Sequence, residues 1–118
     1  MTESLTVPSI NFDIYIAGDA ATARQVCREY CFTVGLCVTV QPLDYIYTGG
    51  EEAGVRISLI NYARFPSDYQ TLRSKAFDLA NLLMERLHQH SFSLVGPKES
   101  EWVSRRPPPA KQTQEALL

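Results

Sequence analysis

Cys27 and Cys31, one helical turn apart, and His88 and His90, close together further on, are the side chains with the most direct chemistry in this chain. Four such soft ligands could converge on zinc. Their spacing argues against it, because there is no C-x-x-C and no recognised Cys/His pattern. Both cysteines also fall on the apolar stripe of an amphipathic segment, where a thiol packs as a small hydrophobe. The sequence therefore predicts no metal and no cofactor. The carboxylates Asp13, Asp44, Glu51 and Glu52 are scattered, and no G-x-S-x-G, H-E-x-x-H or Walker loop accompanies them. No catalytic residue is expected, and the protein reads as a binder rather than an enzyme.

Two binding surfaces can be read from the residues. One combines Tyr15, Tyr45, Tyr47, Ile60 and Tyr62 with the acidic hairpin at Glu51 and Glu52. If Phe12, Ile14, Ile16, Val55, Ile57 and Leu59 face a core, then Tyr15, Ile60, Tyr62 and, depending on a bulge at Pro42, Tyr45 and Tyr47 fall on the opposite side of the sheet, and that side is too apolar to stay wet. Tyrosine suits an interaction surface because it offers area together with a hydroxyl. The other is a basic rim of Arg56, Arg64, Arg105 and Arg106 that would suit a small anionic ligand at a subunit boundary. In the "TGGEEAG" stretch the glycines favour a turn, and the two glutamates would repel a phosphate.

The elements that must position these groups follow from periodicity. "INFDIYIAG" alternates as a strand, and Asp19 caps an amphipathic helix that Gly35 closes. "LCVTVQPLDYIY" is a second strand, at a sheet edge or bulged there because Pro42 cannot donate to a ladder. "GVRISLINY" is an interior third strand. Ser67 and Gln70 have capping-box spacing, opening a helix that runs to about His88. "SFSLVG" is a short strand, and "SEWVSR" a last strand or extension. The expected fold is α+β, a ferredoxin-like βαββαβ domain with an antiparallel sheet and two helices on one face. Residues 1–10 form an N-terminal extension, 11–105 the single domain, and 106–118 a Pro-rich mobile tail.

The 118 residues suit one domain, and 45% apolar with 20% charged residues is a globular balance. A formal net charge of -2 argues against general nucleic-acid binding. No secretory signal and no apolar run long enough for a membrane span are present, so the expected location is cytoplasmic. Three cysteines, an odd number, fit reduced thiols rather than a disulfide scaffold.

Taken together, "IYIAGD", "QVCREYC", "GLCVTV", "YIYTGGEEAG", "INYARFP" and "WVSRR" are similar to segments of small accessory proteins of tailed phages and prophages, over residues 11 to 106. That resemblance implies an accessory role during infection, in the host cytoplasm. The leading expectation is a homo-oligomeric, non-enzymatic module that binds and occludes a host defence protein. The alternative is an oligomer that sequesters a small nucleotide-type signalling ligand.

Overall fold

The computed structural model describes residues 1–106, and the stretch expected to be a Pro-rich tail lies, from 107 on, outside the described residues. The order of elements is β1 (Asn11–Ala17), α1 (Ala20–Val34), β2 (Thr39–Tyr47), β3 (Gly50–Ile60), α2 (Tyr69–Arg86), β4 (Ser91–Val95) and β5 (Ser100–Ser104). All strand pairs are antiparallel, and the sheet runs β2-β3-β1-β4-β5. The layer is α+β, with five strands and two helices among the described residues. Its order differs from the expected four-stranded sheet by β5, which "SEWVSR" supplies and which pairs along β4 through Phe92↔Val103 and Ser93↔Trp102.

Period-two alternation sends Phe12, Ile14 and Ile16 of β1 and Val55, Ile57 and Leu59 of β3 to one side, where each is 2% exposed or less. Phe92 and Leu94 of β4 extend that side. Both helices lie against it, α1 over β2 and β3, and α2 over β1 and β4. The i, i+3, i+4 stripes of the helices, Ala23, Val26 and Cys27 and then Leu72, Ala76, Leu79, Ala80 and Leu83, complete the core. Fully burying each large apolar side chain of this set stabilises the fold by roughly 1.5–3 kcal/mol.

Helix α1 starts as its sequence suggests: Asp19 accepts a hydrogen bond from the Thr22 backbone N–H at 2.9 Å, and Gly35 closes the helix with φ +72°. The second helix starts one residue later than the capping-box reading. Asp68 is its N-cap, accepting from the Thr71 N–H at 2.7 Å. Ser67 is engaged elsewhere, its N–H donating to Asn61 Oδ1 at 2.8 Å. Asn61 also donates from Nδ2 to the Pro8 carbonyl at 2.9 Å and from its backbone N–H to the Ile10 carbonyl at 2.8 Å, binding part of the N-terminal extension to the domain.

Strand β2 is an edge strand, as Pro42 requires. It begins at Thr39 rather than Leu36, leaving Cys37 exposed in the preceding loop while Cys27 is buried and Cys31 half-buried. Burial pushes the Cys27 thiol up to about 12, so it stays protonated and unreactive. The β2–β3 connection is a turn of Thr48 and Gly49 alone, and most of "TGGEEAG" is strand. Gly49 has φ +95°, a conformation that side chains rarely adopt.

Candidate functional site

The sheet face away from the helices carries a row of side chains set by register. Arg56 on β3 is paired with Gln41 on β2 and Tyr15 on β1, Tyr15 with Ser93 on β4, and Ser93 with Trp102 on β5. Because paired residues project to the same side of a sheet, Gln41, Arg56, Tyr15, Ser93 and Trp102 form one rung across all five strands. One step toward the Asn11 end of β1, Ser58 pairs with Asp13 and donates its hydroxyl to Asp13 Oδ1. Toward the hairpin, Tyr45 pairs with Glu52 on the same face.

Three buried polar atoms lie on this one face without a hydrogen-bond partner: the Tyr45 hydroxyl, Arg56 Nε and Trp102 Nε1. A buried donor left unmade costs roughly 1–3 kcal/mol, more when charged, so these atoms, spread over the face with Arg56 and Trp102 three strands apart, call for partners that the described protein atoms do not supply. No ion pair to Arg56 occurs among the described residues. The Tyr45 phenol is pushed up to about 12, first by burial and then by the neighbouring Tyr15 and Glu52, so it stays protonated and can donate. Its ring lies directly over Gly54, where an added Cβ would collide with the ring and come within 2.8 Å of the Ile16 carbonyl oxygen. Gly54 therefore lets the aromatic ring sit flat on the sheet.

The anticipated site residues are distributed as follows. Tyr15, Tyr45, Tyr47, Glu52, Ile60 and Arg56 share the open face, with Ile60 opposite Asn11 at its edge. Glu51 pairs with Ile46 and points to the other side, so the two glutamates are separated by the sheet. Tyr62 lies beyond β3, its ring 5.3 Å from that of Phe65, and contact with the Cys37 thiol, more than burial, raises its pKa. Arg64 is exposed in the β3–α2 loop. Arg105 is a clasp: its guanidinium donates to the carbonyls of Met84, at 3.3 Å, and Gln89, just past the C-terminus of α2, as basic groups do at helix ends. Arg106 is exposed, with its N–H on Ser104 Oγ. Trp102, Ser58 and Gln41 are the members that sequence reasoning missed, and Asp13 is one of the carboxylates that it set aside as scattered. The alternation Glu101, Trp102, Val103 within a strand-like "SEWVS" was the available signal for Trp102.

A hollow of about 330 Å³ opens on the same face beside Asp13, Arg56 and Ser58, bounded by Ile60 and Asn61. Among the described residues no group of three or more His, Cys, Asp or Glu side chains is placed to share a metal ion. No helix there is long and apolar enough to cross a membrane.

Neither a protein-family model nor a curated protein sequence matches the chain. Two solved structures do match its fold. A phage SAM lyase in complex with S-methyl-5'-thioadenosine superposes with a TM-score of 0.69 at 14% identity, covering 88% of this chain and 95% of that one. A phage SAM lyase in the apo state gives 0.70 at 16% identity, with the same coverage. At such identity the likeness shows the fold. It nevertheless overturns the expectation of a non-enzymatic module that occludes a host protein, because the neighbours on this scaffold are enzymes, one of them holding a small nucleoside. The expectation failed for a physical reason. Catalysis was discounted for want of short motifs, whereas this face is assembled from five strands whose contributing residues lie far apart in sequence.

Proposed function

We propose that the protein is a small-ligand enzyme that cleaves SAM, binding it on the open sheet face. The carrying observation is that three buried, unpartnered polar atoms, Tyr45 OH, Arg56 Nε and Trp102 Nε1, all belong to one face of the sheet. The fold shared with phage SAM lyases supports the same reading. S-methyl-5'-thioadenosine, held by one of those lyases, is what remains of SAM when the bond from sulfur to the amino-acid side chain breaks and its electron pair stays on sulfur.

The chemistry of the face suits such a ligand. Tyr15, Tyr45 and Trp102 offer rings on which an adenine stacks, and aromatic faces attract a sulfonium cation. Glu52, opposite Tyr45, adds a negative charge favourable to that cation. The positive charge disappears as the thioether leaves, so these groups grip the substrate more strongly than the neutral product. The Tyr45 hydroxyl, kept protonated by burial, is a fixed donor.

The same reading carries finer parts. It makes the chain a phage accessory protein working in the host cytoplasm, on a ferredoxin-like core of β1 to β4 extended by β5. It also makes it a homo-oligomer, supported by the projecting β2–β3 ribbon with Ile46 79% exposed. Incubation with SAM followed by mass spectrometry is the test. S-methyl-5'-thioadenosine should form above the protein-free control, and Tyr45→Phe and Glu52→Gln should each lower the rate tenfold or more. Tight binding of SAM with no product would replace the enzyme by a sequestering protein, and absence of both binding and product would refute the reading.

A further inference from the structure

Resting on that reading, we propose that the hollow beside Arg56 and Asp13 holds the α-amino acid end of the ligand, with Arg56 taking the carboxylate and Asp13 the ammonium. Asp13 pairs with Ser58, two residues along β3 from Arg56, so the acid and the base are diagonal neighbours across β1 and β3. Diagonal neighbours on one face stand about 7–8 Å apart, close enough for both to reach one small zwitterion and too far apart for their backbones to force a mutual contact. No ion pair joins them among the described residues, and Arg56 Nε is buried without a partner. Asp13 is oriented by the Ser58 hydroxyl on Oδ1, and a carboxylate offers about four acceptor sites, so the bond from Ser58 leaves it capacity for an ammonium group. The hollow, about 330 Å³, opens between these charges, with Ile60 as an apolar wall and Asn61 at its rim.

The pairing selects by charge. A simple anion entering beside Arg56 meets the Asp13 carboxylate, and a simple cation beside Asp13 meets the guanidinium. A zwitterion satisfies both and releases Arg56 from its unmade bond. The ligand is thus held at two places, the nucleoside on the aromatic part of the face and the amino acid in the hollow. Cleavage between them leaves a nucleoside product with no hold on the hollow, which favours its release.

Calorimetry with two probes tests this. S-adenosylhomocysteine carries the amino-acid end and is not a sulfonium, and S-methyl-5'-thioadenosine keeps the nucleoside without that end. The wild-type protein should bind the first at least tenfold more tightly than the second. Arg56→Met and Asp13→Asn should each weaken the first tenfold or more while changing the second less than twofold. Arg56→Lys, which keeps the charge and loses the planar fork, should fall between wild type and Arg56→Met, and it serves if the methionine variant fails to fold by circular dichroism. Equal weakening of both probes, unchanged binding of the first, or wild-type binding of the second alone would overturn the assignment while leaving the nucleoside reading in place. If the wild type binds neither probe, the nucleoside reading falls and the assignment with it.

Discussion

At the scale of single residues, Gly54 matters more than any other glycine on the open face. Its hydrogen occupies the space where a methyl would meet the Tyr45 ring on one side and the Ile16 carbonyl oxygen, at 2.8 Å, on the other. A ring edge swings aside at modest cost, but a strand carbonyl in a ladder does not. Gly54→Ala should therefore lower stability by about 1–3 kcal/mol, the range for overpacking, measured by urea unfolding. A change below 0.5 kcal/mol would mean that the ring is not seated there. In the sequence the glycine reads as the first residue of the third strand, just past the two turn glycines Gly49 and Gly50. Its actual work, making room for an aromatic ring from the neighbouring strand, depends on register and could not be read from local composition. Trp102 was missed for the same reason, since a tryptophan in a short polar segment gains meaning only when Ser93 and Tyr15 are known to lie beside it.

At the scale of elements, helix starts and strand alternation were legible because they are local. Asp19, Gly35, Pro42 and the apolar stripes act through neighbours a few residues away, and each does in the structure what its chemistry predicts. The capping reading at α2 slipped by one residue because the neighbouring Asp68 carboxylate accepts the capping N–H, from Thr71, while the Ser67 N–H goes to Asn61 outside the local window. Both caps are carboxylates held below the ordinary value of 3.8, chiefly by the backbone N–H groups of Thr22 and Thr71 that they accept. The sign follows from that direction: a carboxylate whose pKa is lower folded than unfolded contributes stability above its unfolded pKa and loses it as pH falls through the folded one. Melting temperature should thus drop as pH falls below about 4. The double variant Asp19→Asn, Asp68→Asn keeps a neutral cap of similar quality and should fall less steeply over that range. Parallel falls in scanning calorimetry would show that the caps contribute nothing to the acid transition.

At the scale of the whole molecule, one end of the sheet outruns its support. Ala17 pairs with Gly54 and the Gly18 N–H reaches the Ala53 carbonyl at 2.9 Å, but beyond that, among the described residues, β2 and β3 continue as a two-stranded ladder from Tyr45↔Glu52 to Tyr47↔Gly50 with no third strand beside it. An isolated two-stranded ribbon is marginal in water, and this one presents Ile46 to solvent. A second copy of the chain is the expected cover. Light scattering should give a mass that is a multiple of 13.3 kDa, and Ile46→Asp should lower it. A monomeric wild type would end the idea.

The ribbon also divides the open face mechanically. Arg56 and Asp13 stand where β1 and β3 are paired, on a plate fixed by the main-chain bonds at Gly18 and Asn61. Tyr45 and Glu52 ride on the arm beyond it. A molecule touching both would tie the two-stranded end of the sheet to its three-stranded middle, and the Tyr45 ring seated over Gly54 already reaches back across that boundary.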